Sequence, residues 1–285
     1  MTPARSPAAI PAAFTRRHLL ALATAGASWP AWLQAQDFPE AALRAAVEAP
    51  SRSPANRLRD GARNPFETLR FFGVLPQHQV IEIAPGGGWY TEILAPYLRE
   101  RGRLFAAHYA ADDAEEGRRK SRANFQARLA AAPAIYDRVV VGTMPKGPAF
   151  RDIAVPGGAD AVLTFRNVHN WIEDGHLDDT LRAFHAALKP GGVLGVVDHR
   201  AAPGTTLERI KSSGYVTEAL MQERAAAAGF ALHSRSEVNA NPRDSHDHPN
   251  GVWSLPPSLR GGEVDRAKFL AIGESDRFTH RYVKA

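Results

Sequence analysis

Three stretches of this chain carry side chains able to do chemistry, and each belongs to or directly follows an apolar run. The first is Val80-Ile81-Glu82-Ile83-Ala84-Pro85-Gly86-Gly87-Gly88-Trp89-Tyr90-Thr91, with a carboxylate inside the run and three glycines behind it. Glycine lets the backbone turn sharply and leaves no Cβ in a ligand's way. Gly86, Gly87 and Gly88 therefore read as a ligand-binding turn, or as a merely tight one. A nicotinamide-type fingerprint needs G-x-G-x-x-G; Gly86 and Gly88 fit, and Thr91 stands at the third position. The second stretch is Arg166-Asn167-Val168-His169-Asn170-Trp171. It combines an imidazole that titrates near neutral pH with two amides that can orient a heteroatom and an indole that can form an apolar wall. Loop capping by His169 and the asparagines, with Trp171 in the core, is the plainer alternative. The third, Asp198-His199-Arg200, is a second acid and imidazole group or a strand-end salt-bridge cluster.

Asp244-Ser245-His246-Asp247-His248 is the one metal-like spacing, and with no committed fourth ligand nearby it reads as a solvated polar loop. No metal is expected. The absence of Cys excludes thiolate zinc sites, iron-sulfur clusters and thiol nucleophiles. Arg59, Asp60 and Arg63 either hold a substrate carboxylate or pin the N-terminal segment to the rest; pinning is the expectation.

The elements that must position these groups follow from the apolar pattern. Strands are predicted at Val80–Ala84, Arg103–His108, Val139–Val141, Ala161–Phe165 and Val193–Asp198, and helices at Tyr90–Glu100, Asp112–Ala131 and Gly175–Leu188. Short β-rich runs alternating with helices of ten or more residues argue for a parallel sheet with helices on both faces. Thr217–Ala228 then reads as a helix, with Phe230–Val238 and Arg277–Val283 as strands. The Pro/Gly-rich stretch between those two strands offers no helix of useful length, so their pairing is predicted to be antiparallel. Ahead of the first strand, Ala41–Ala49 and Asn64–Phe72 read as helices of a lid or cap spanning 36–78, in front of an α/β core at 79–285. One domain is expected.

The chain has 285 residues and a net charge of +5, but Arg5, Arg16 and Arg17 precede any acid. Setting those three aside leaves 32 of the 35 basic side chains against 30 acidic ones. A balance this close gives little footing for a nucleic-acid partner. Thr15-Arg16-Arg17-His18-Leu19-Leu20 opens an uncharged stretch to Ala35, the order of an export signal. The stretch is too short and too diluted by Gly26, Ser28 and Pro30 for a stable membrane span. The arginine pair resembles the twin-arginine export signal, which implies passage through that machinery after folding, cleavage near Ala35 and a periplasmic location.

Glu82-x-Ala84-x-Gly86-x-Gly88 resembles motif I of the class I S-adenosylmethionine-dependent methyltransferases, with Ala84 at the first glycine position. The predicted antiparallel last strand is similar to the same family. The resemblance extends to a group of exported methyltransferase-like proteins through Arg63-Asn64-Pro65, Leu69-Arg70-Phe71-Phe72-Gly73 and Leu94-Ala95-Pro96-Tyr97-Leu98. It continues through Arg166–Trp171, Leu188-Lys189-Pro190-Gly191-Gly192, Gly251–Pro257 and Ala271–Arg277, covering nearly all of residues 50–285.

The resemblance implies a Rossmann-like methyltransferase fold: seven mostly parallel strands, the last antiparallel, helices on both faces and an N-terminal helical cap. It implies S-adenosylmethionine as cofactor, held by Glu82, Ala84, Pro85, Gly86, Gly87, Gly88, Tyr90 and Thr91, with His108, Met144, Arg166 and Asn167 completing the site. His108 stands where the family has a strand-end acid for the ribose; His108, or Asp112 reaching in, would take a hydroxyl, and Met144 would pack on the adenine. His169, Asn170 and His199 are the candidate catalytic residues, His169 as base, toward a small-molecule acceptor. Two other classes remain open: a non-catalytic binding protein on the same fold, and a dinucleotide-dependent oxidoreductase.

Overall fold

The computed structural model describes residues 38–147, 149–155 and 157–285. The expected leader lies outside the described residues. Seven strands form one sheet: β1 (Gln79–Ile83), β2 (Arg103–His108), β3 (Val140–Thr143), β4 (Ala159–Phe165), β5 (Leu188–His199), β6 (Phe230–Ser236) and β7 (Arg277–Lys284). Their order is β3-β2-β1-β4-β5-β7-β6. β1 to β5 run parallel, and β7 runs antiparallel to both β5 and β6.

Alternation along the strands sorts the core into two layers. Val80, Leu104, Ala106, Ala161 and Leu163 face one way, Ile81, Ile83, Phe105, Val162 and Leu194 the other. The first face is covered by α1 (Glu40–Val47), the short turns α2 (Pro54–Arg57) and α3 (Asp60–Arg63) that lead into α4 (Pro65–Phe72), then α5 (Thr91–Leu98), α6 (Glu116–Ala130) and α7 (Pro133–Tyr136). The second is covered by α8 (Val168–Glu173), α9 (Leu177–Ala187), α10 (Leu207–Ser213) and α11 (Glu218–Ala227). A last helix, α12 (Arg266–Ile272), of seven residues, lies between β6 and β7, in the Pro/Gly-rich stretch where no helix of useful length was expected. Among the described residues no helix is long and apolar enough to cross a membrane.

The N-terminal helices do more than cap. Leu43, Leu69 and Phe72 are buried in the first layer, each burial stabilising by roughly 1.5–3 kcal/mol. Gly195 on β5 makes this possible, since a Cβ there would stand 2.8 Å from the Phe72 ring. The arch from Arg52 to Arg63 reaches toward the C-terminal segment, as do Asn64, which donates to the Val238 carbonyl at 2.6 Å, and Thr68, which accepts from Asn239 Nδ2 at 3.0 Å. The arch is pinned there, as expected, by Arg59 and Arg63 on Glu274, with Arg277 Nη2 donating to the Ala62 carbonyl; Asp60 instead pairs with Arg52 at 2.7 Å within the arch.

Candidate functional site

β1 lies between β2 and β4, so the chain reverses direction of travel across the sheet there, and ligands of open α/β sheets bind outside the carboxyl ends of strands at such a point. The turn leaving β1 is shaped for close approach. Ala84 (φ 46°), Gly86 (φ 57°) and Gly88 (φ 85°) are left-handed, and Gly88 N–H closes on the Pro85 carbonyl at 2.9 Å. A Cβ on Gly86 or Gly87 would meet open space, whereas one on Gly88 would press on Phe125 at 3.2 Å. Ala84 tolerates a conformation that disfavours side chains because its N–H is held by the Ala107 carbonyl at 2.8 Å.

Beneath the turn, Thr91 Oγ1 donates to Glu82 at 2.6 Å. Burial lifts the Glu82 carboxyl to about 7, and the hydrogen bonds from Thr91 only partly oppose it. Because this folded value lies above the ordinary 4.5, the folded state holds the proton more tightly. The group's contribution to stability is full below about 4.5 and is lost as pH rises through about 7. His108 acts in the opposite sense: burial depresses it from 6.5 to about 4, so its neutral form is favoured on folding and stability is lost as pH falls toward 4. Glu82→Gln removes one titration and leaves the other. Its stability relative to wild type should rise on the order of 3 kcal/mol between pH 5 and 8, read by urea denaturation at each pH; a constant difference would mean that Glu82 stays ionised throughout.

His108 itself corrects the reading of the ribose position. It is fully buried, its Nδ1 accepts from Tyr109 N–H at 2.8 Å, and its Nε2–H donates to the Gly86 carbonyl at 3.2 Å. Nε2 joins the end of β2 to the glycine turn and Nδ1 is taken by the neighbouring Tyr109 N–H, so neither is left for a sugar hydroxyl. Asp112 is exposed and paired with Arg151 at 3.1 Å. Beyond β2 and β3, Met144 lines a cavity of about 380 Å³ together with Tyr109, Thr143 and Lys146, a setting suited to a flat ring.

On the other side of β1, Asn167 Nδ2 donates to the Ile83 carbonyl at 3.2 Å and to Thr164 Oγ1 at 3.1 Å, clamping β1 to β4. Tyr90 is buried and stacked on Phe165, centroids 3.6 Å apart. Arg166, left-handed at φ 62°, lines a second cavity of about 210 Å³ with His169, Asn170, His199 and Trp253. Trp171 does not reach it: the ring packs edge-on against Phe184 and lines a separate cavity with Leu177 and Leu207.

His169 is held by Asp198, which the sequence offered only as part of a second, separate acid and imidazole group. Nδ1 lies 3.1 Å from Asp198 Oδ1, while the same carboxylate accepts Val168 N–H and His199 N–H, each at 2.7 Å. A carboxylate on Nδ1 fixes the ring and leaves Nε2 as the basic nitrogen. His199 bonds Ser275 Oγ and sits 5.2 Å from the His169 ring. Burial first, then His169 and the nearby arginines 166, 277 and 63, hold His199 well below its ordinary value.

Among the described residues His169, Asp198 and His199 bring potential ligand atoms within 4.8 Å of one another. The guanidinium charges of Arg166, Arg277 and Arg63, which add to burial in lowering His199, also repel a cation at that point. In the Asp244 loop Ser245 and Asp247 are exposed, as the sequence suggested, but Asp244 and His248 are buried. Asp244 is buried and accepts from Tyr215 Oη (2.9 Å), His248 Nε2 (2.8 Å), His246 N–H (2.9 Å) and Asp276 N–H (2.8 Å). It is a buckle that holds the start of β7, and with it Glu274 and Ser275, at the cavity. Those two residues and Trp253 lay in phrases that carried the family resemblance, yet their types alone indicated no role.

No family model matches the chain, and no curated protein matches it. Solved structures do. A SAM-dependent methyltransferase from Aquifex aeolicus superposes with TM-score 0.53 at 15% identity, over 87% of this chain and 100% of the other. The [4+2]-cyclase SpnF superposes with TM-score 0.52 at 16% identity, over 78% of this chain and 81% of its own. These likenesses show the fold: the Rossmann-like, seven-stranded methyltransferase architecture.

Proposed function

We propose that this protein is an S-adenosylmethionine-dependent methyltransferase acting on a small molecule. The carrying observation is the left-handed β1–α5 turn, with open space above Gly86 and Gly87 and the Glu82 carboxyl beneath it. In its ionised form Glu82 suits the cationic methionine end of the cofactor and would repel a phosphate. Gly86 and Gly87 would hold the cofactor's middle, and Met144 with Tyr109 its adenine. The fit stops at the ribose, where His108 offers no free nitrogen. When bound, S-adenosylmethionine supplies an electrophilic methyl group. The chain supplies positioning and a base: Asn167 fixes the β1 and β4 ends, Asp198 orients His169, and His169 Nε2 takes the acceptor's proton. The Arg16-Arg17 leader adds a proposal of twin-arginine export to the periplasm.

Calorimetric titration of the full-length protein with S-adenosylmethionine and its demethylated product tests this reading. Micromolar binding is expected, and Gly86→Ala should weaken it at least about tenfold by filling the approach, while the left-handed φ costs about 1–2 kcal/mol of stability. No binding of either compound would favour the second reading, a non-catalytic binding protein, for which the sealed His108 is the specific support.

A further inference from the structure

The cavity beside His169 carries a charge imbalance that limits what enters it. Glu274 accepts from Arg59 Nε at 2.8 Å, Arg63 Nε at 3.1 Å and Arg277 Nη1 at 3.3 Å. Arg166, on the cavity wall, feels that same carboxylate without bonding to it, and its guanidinium makes no hydrogen bond or ion pair among the described residues. Four guanidinium groups thus share one carboxylate. Arg59 Nη2 and Arg63 Nη2 are also buried without an acceptor. Burial, with Arg166 pressing on Arg63 and Arg277 and Arg59 pressing on Arg166, brings Arg63 and Arg166 each down to about 10. Asp198, the other carboxylate near Arg166, is already taken by His169 and two backbone N–H groups.

Arg63 and Arg277 are buried and Arg166 is half-buried at the cavity, and positive charge gathered there with too little counter-charge is unfavourable. An oxyanion against a guanidinium fork compensates it in a directional way. Opposite this charged floor the wall is apolar, formed by Val252, Trp253, Pro256 and Pro257. At about 210 Å³ the space admits a body of roughly one substituted ring.

We propose that the cavity binds a small organic oxyanion, its carboxylate or phosphate received by Arg166 in front of the Glu274 cluster and its apolar body against Trp253. This names the acceptor class, and it rests on reading this cavity as the acceptor site. It does not depend on the methyl donor.

The test uses the full-length protein without S-adenosylmethionine, titrated calorimetrically with benzoate, phenyl phosphate and the neutral benzamide. At least one anion should bind about tenfold or more tightly than benzamide, and the one preferred identifies the headgroup. Raising salt from about 50 to about 300 mM should narrow the preference. Arg166→Gln should abolish it, whereas Trp253→Leu should weaken anion and amide alike and leave their ratio unchanged. Thermal melts check folding, and loss of an unpaired guanidinium is not expected to lower the melting temperature. Benzamide binding as tightly as both anions, no anion bound at tens of millimolar, or an unchanged preference in a folded Arg166→Gln would overturn the proposal. A protein that binds benzoate but not S-adenosylmethionine retains this inference and loses the methyltransferase reading.

Discussion

Glu274→Ala is expected to lose about 3–5 kcal/mol of stability, a large share of the roughly 5–15 kcal/mol typical of a folded protein. The reason is the company this side chain keeps. Glu274 is 9% exposed, and the arginines leaning on it include Arg63 at 4% and Arg277 at 3%. Removing the carboxylate leaves those charges in the interior facing one another, a far larger penalty than loss of an exposed pair. Burial pushes Glu274 up, but Arg63, Arg277, Arg59 and Arg166 together outweigh it and hold the carboxyl below its ordinary 4.5. The stability it contributes is therefore present above about 4.5 and lost as pH falls through the lower folded value. Two results should follow in urea denaturation. The gap between wild type and Glu274→Ala closes in acid, and adding Arg166→Gln to Glu274→Ala recovers part of the loss by removing one repelling charge. A penalty under about 1 kcal/mol would mean that water solvates the cluster.

If the proposed methyltransferase reading holds, Asp198→Asn is expected to slow methyl transfer by about 10²- to 10⁴-fold while the protein stays folded. Asp198 is 0% exposed and does two jobs. Its oxygens satisfy the N–H groups of Val168 and His199, and Oδ1 faces His169 Nδ1. An amide retains one acceptor oxygen but can turn its NH₂ toward Nδ1. The proton then moves to Nε2, the nitrogen that must be free to act as base. Turnover should fall with KM little changed. Asp198→Ala separates the two jobs, since it also orphans two buried backbone donors at about 1–3 kcal/mol each. Equal loss of turnover and stability in both variants would reduce Asp198 to a structural role.

The sheet was legible because its information is local. Runs such as Leu104–Ala107 and Ala161–Leu163 are apolar on both faces, the mark of buried parallel strands, and the lack of a long helix before Arg277 foretold the antiparallel end. The start of α6 was read four residues early, at Asp112 rather than Glu116, because polar residues do not reveal where a helix begins. α8 was not seen at all: its six residues, Val168–Glu173, are too few to show a period. The site divides in the same way. The glycine turn and His169 lie in contiguous phrases. The bond between His169 and Asp198 spans 29 residues, and Glu274 finds Arg59 across 215, distances over which residue type says nothing about proximity. His108 shows the converse: its position on β2 was read correctly, but its hydrogen bonds to Gly86 and Tyr109, which decide what it can do, depend on a turn geometry no spacing encodes.

The sheet order also imposes a schedule on the chain's own assembly. β7, nearest the end of the sequence, lies between β5 and β6, and β6 has no other neighbour. Until residues 277–284 have been synthesised, the edge of β5 is bare and β6 has nothing to pair with. The arginines of the N-terminal arch wait equally long for Glu274. Pairings of such long sequence separation form slowly and expose strand edges meanwhile. In the nascent chain the half built on β1 to β5 can collapse first, and the His169 cavity is closed last, in a single late step that inserts one strand and supplies the missing counter-ion together.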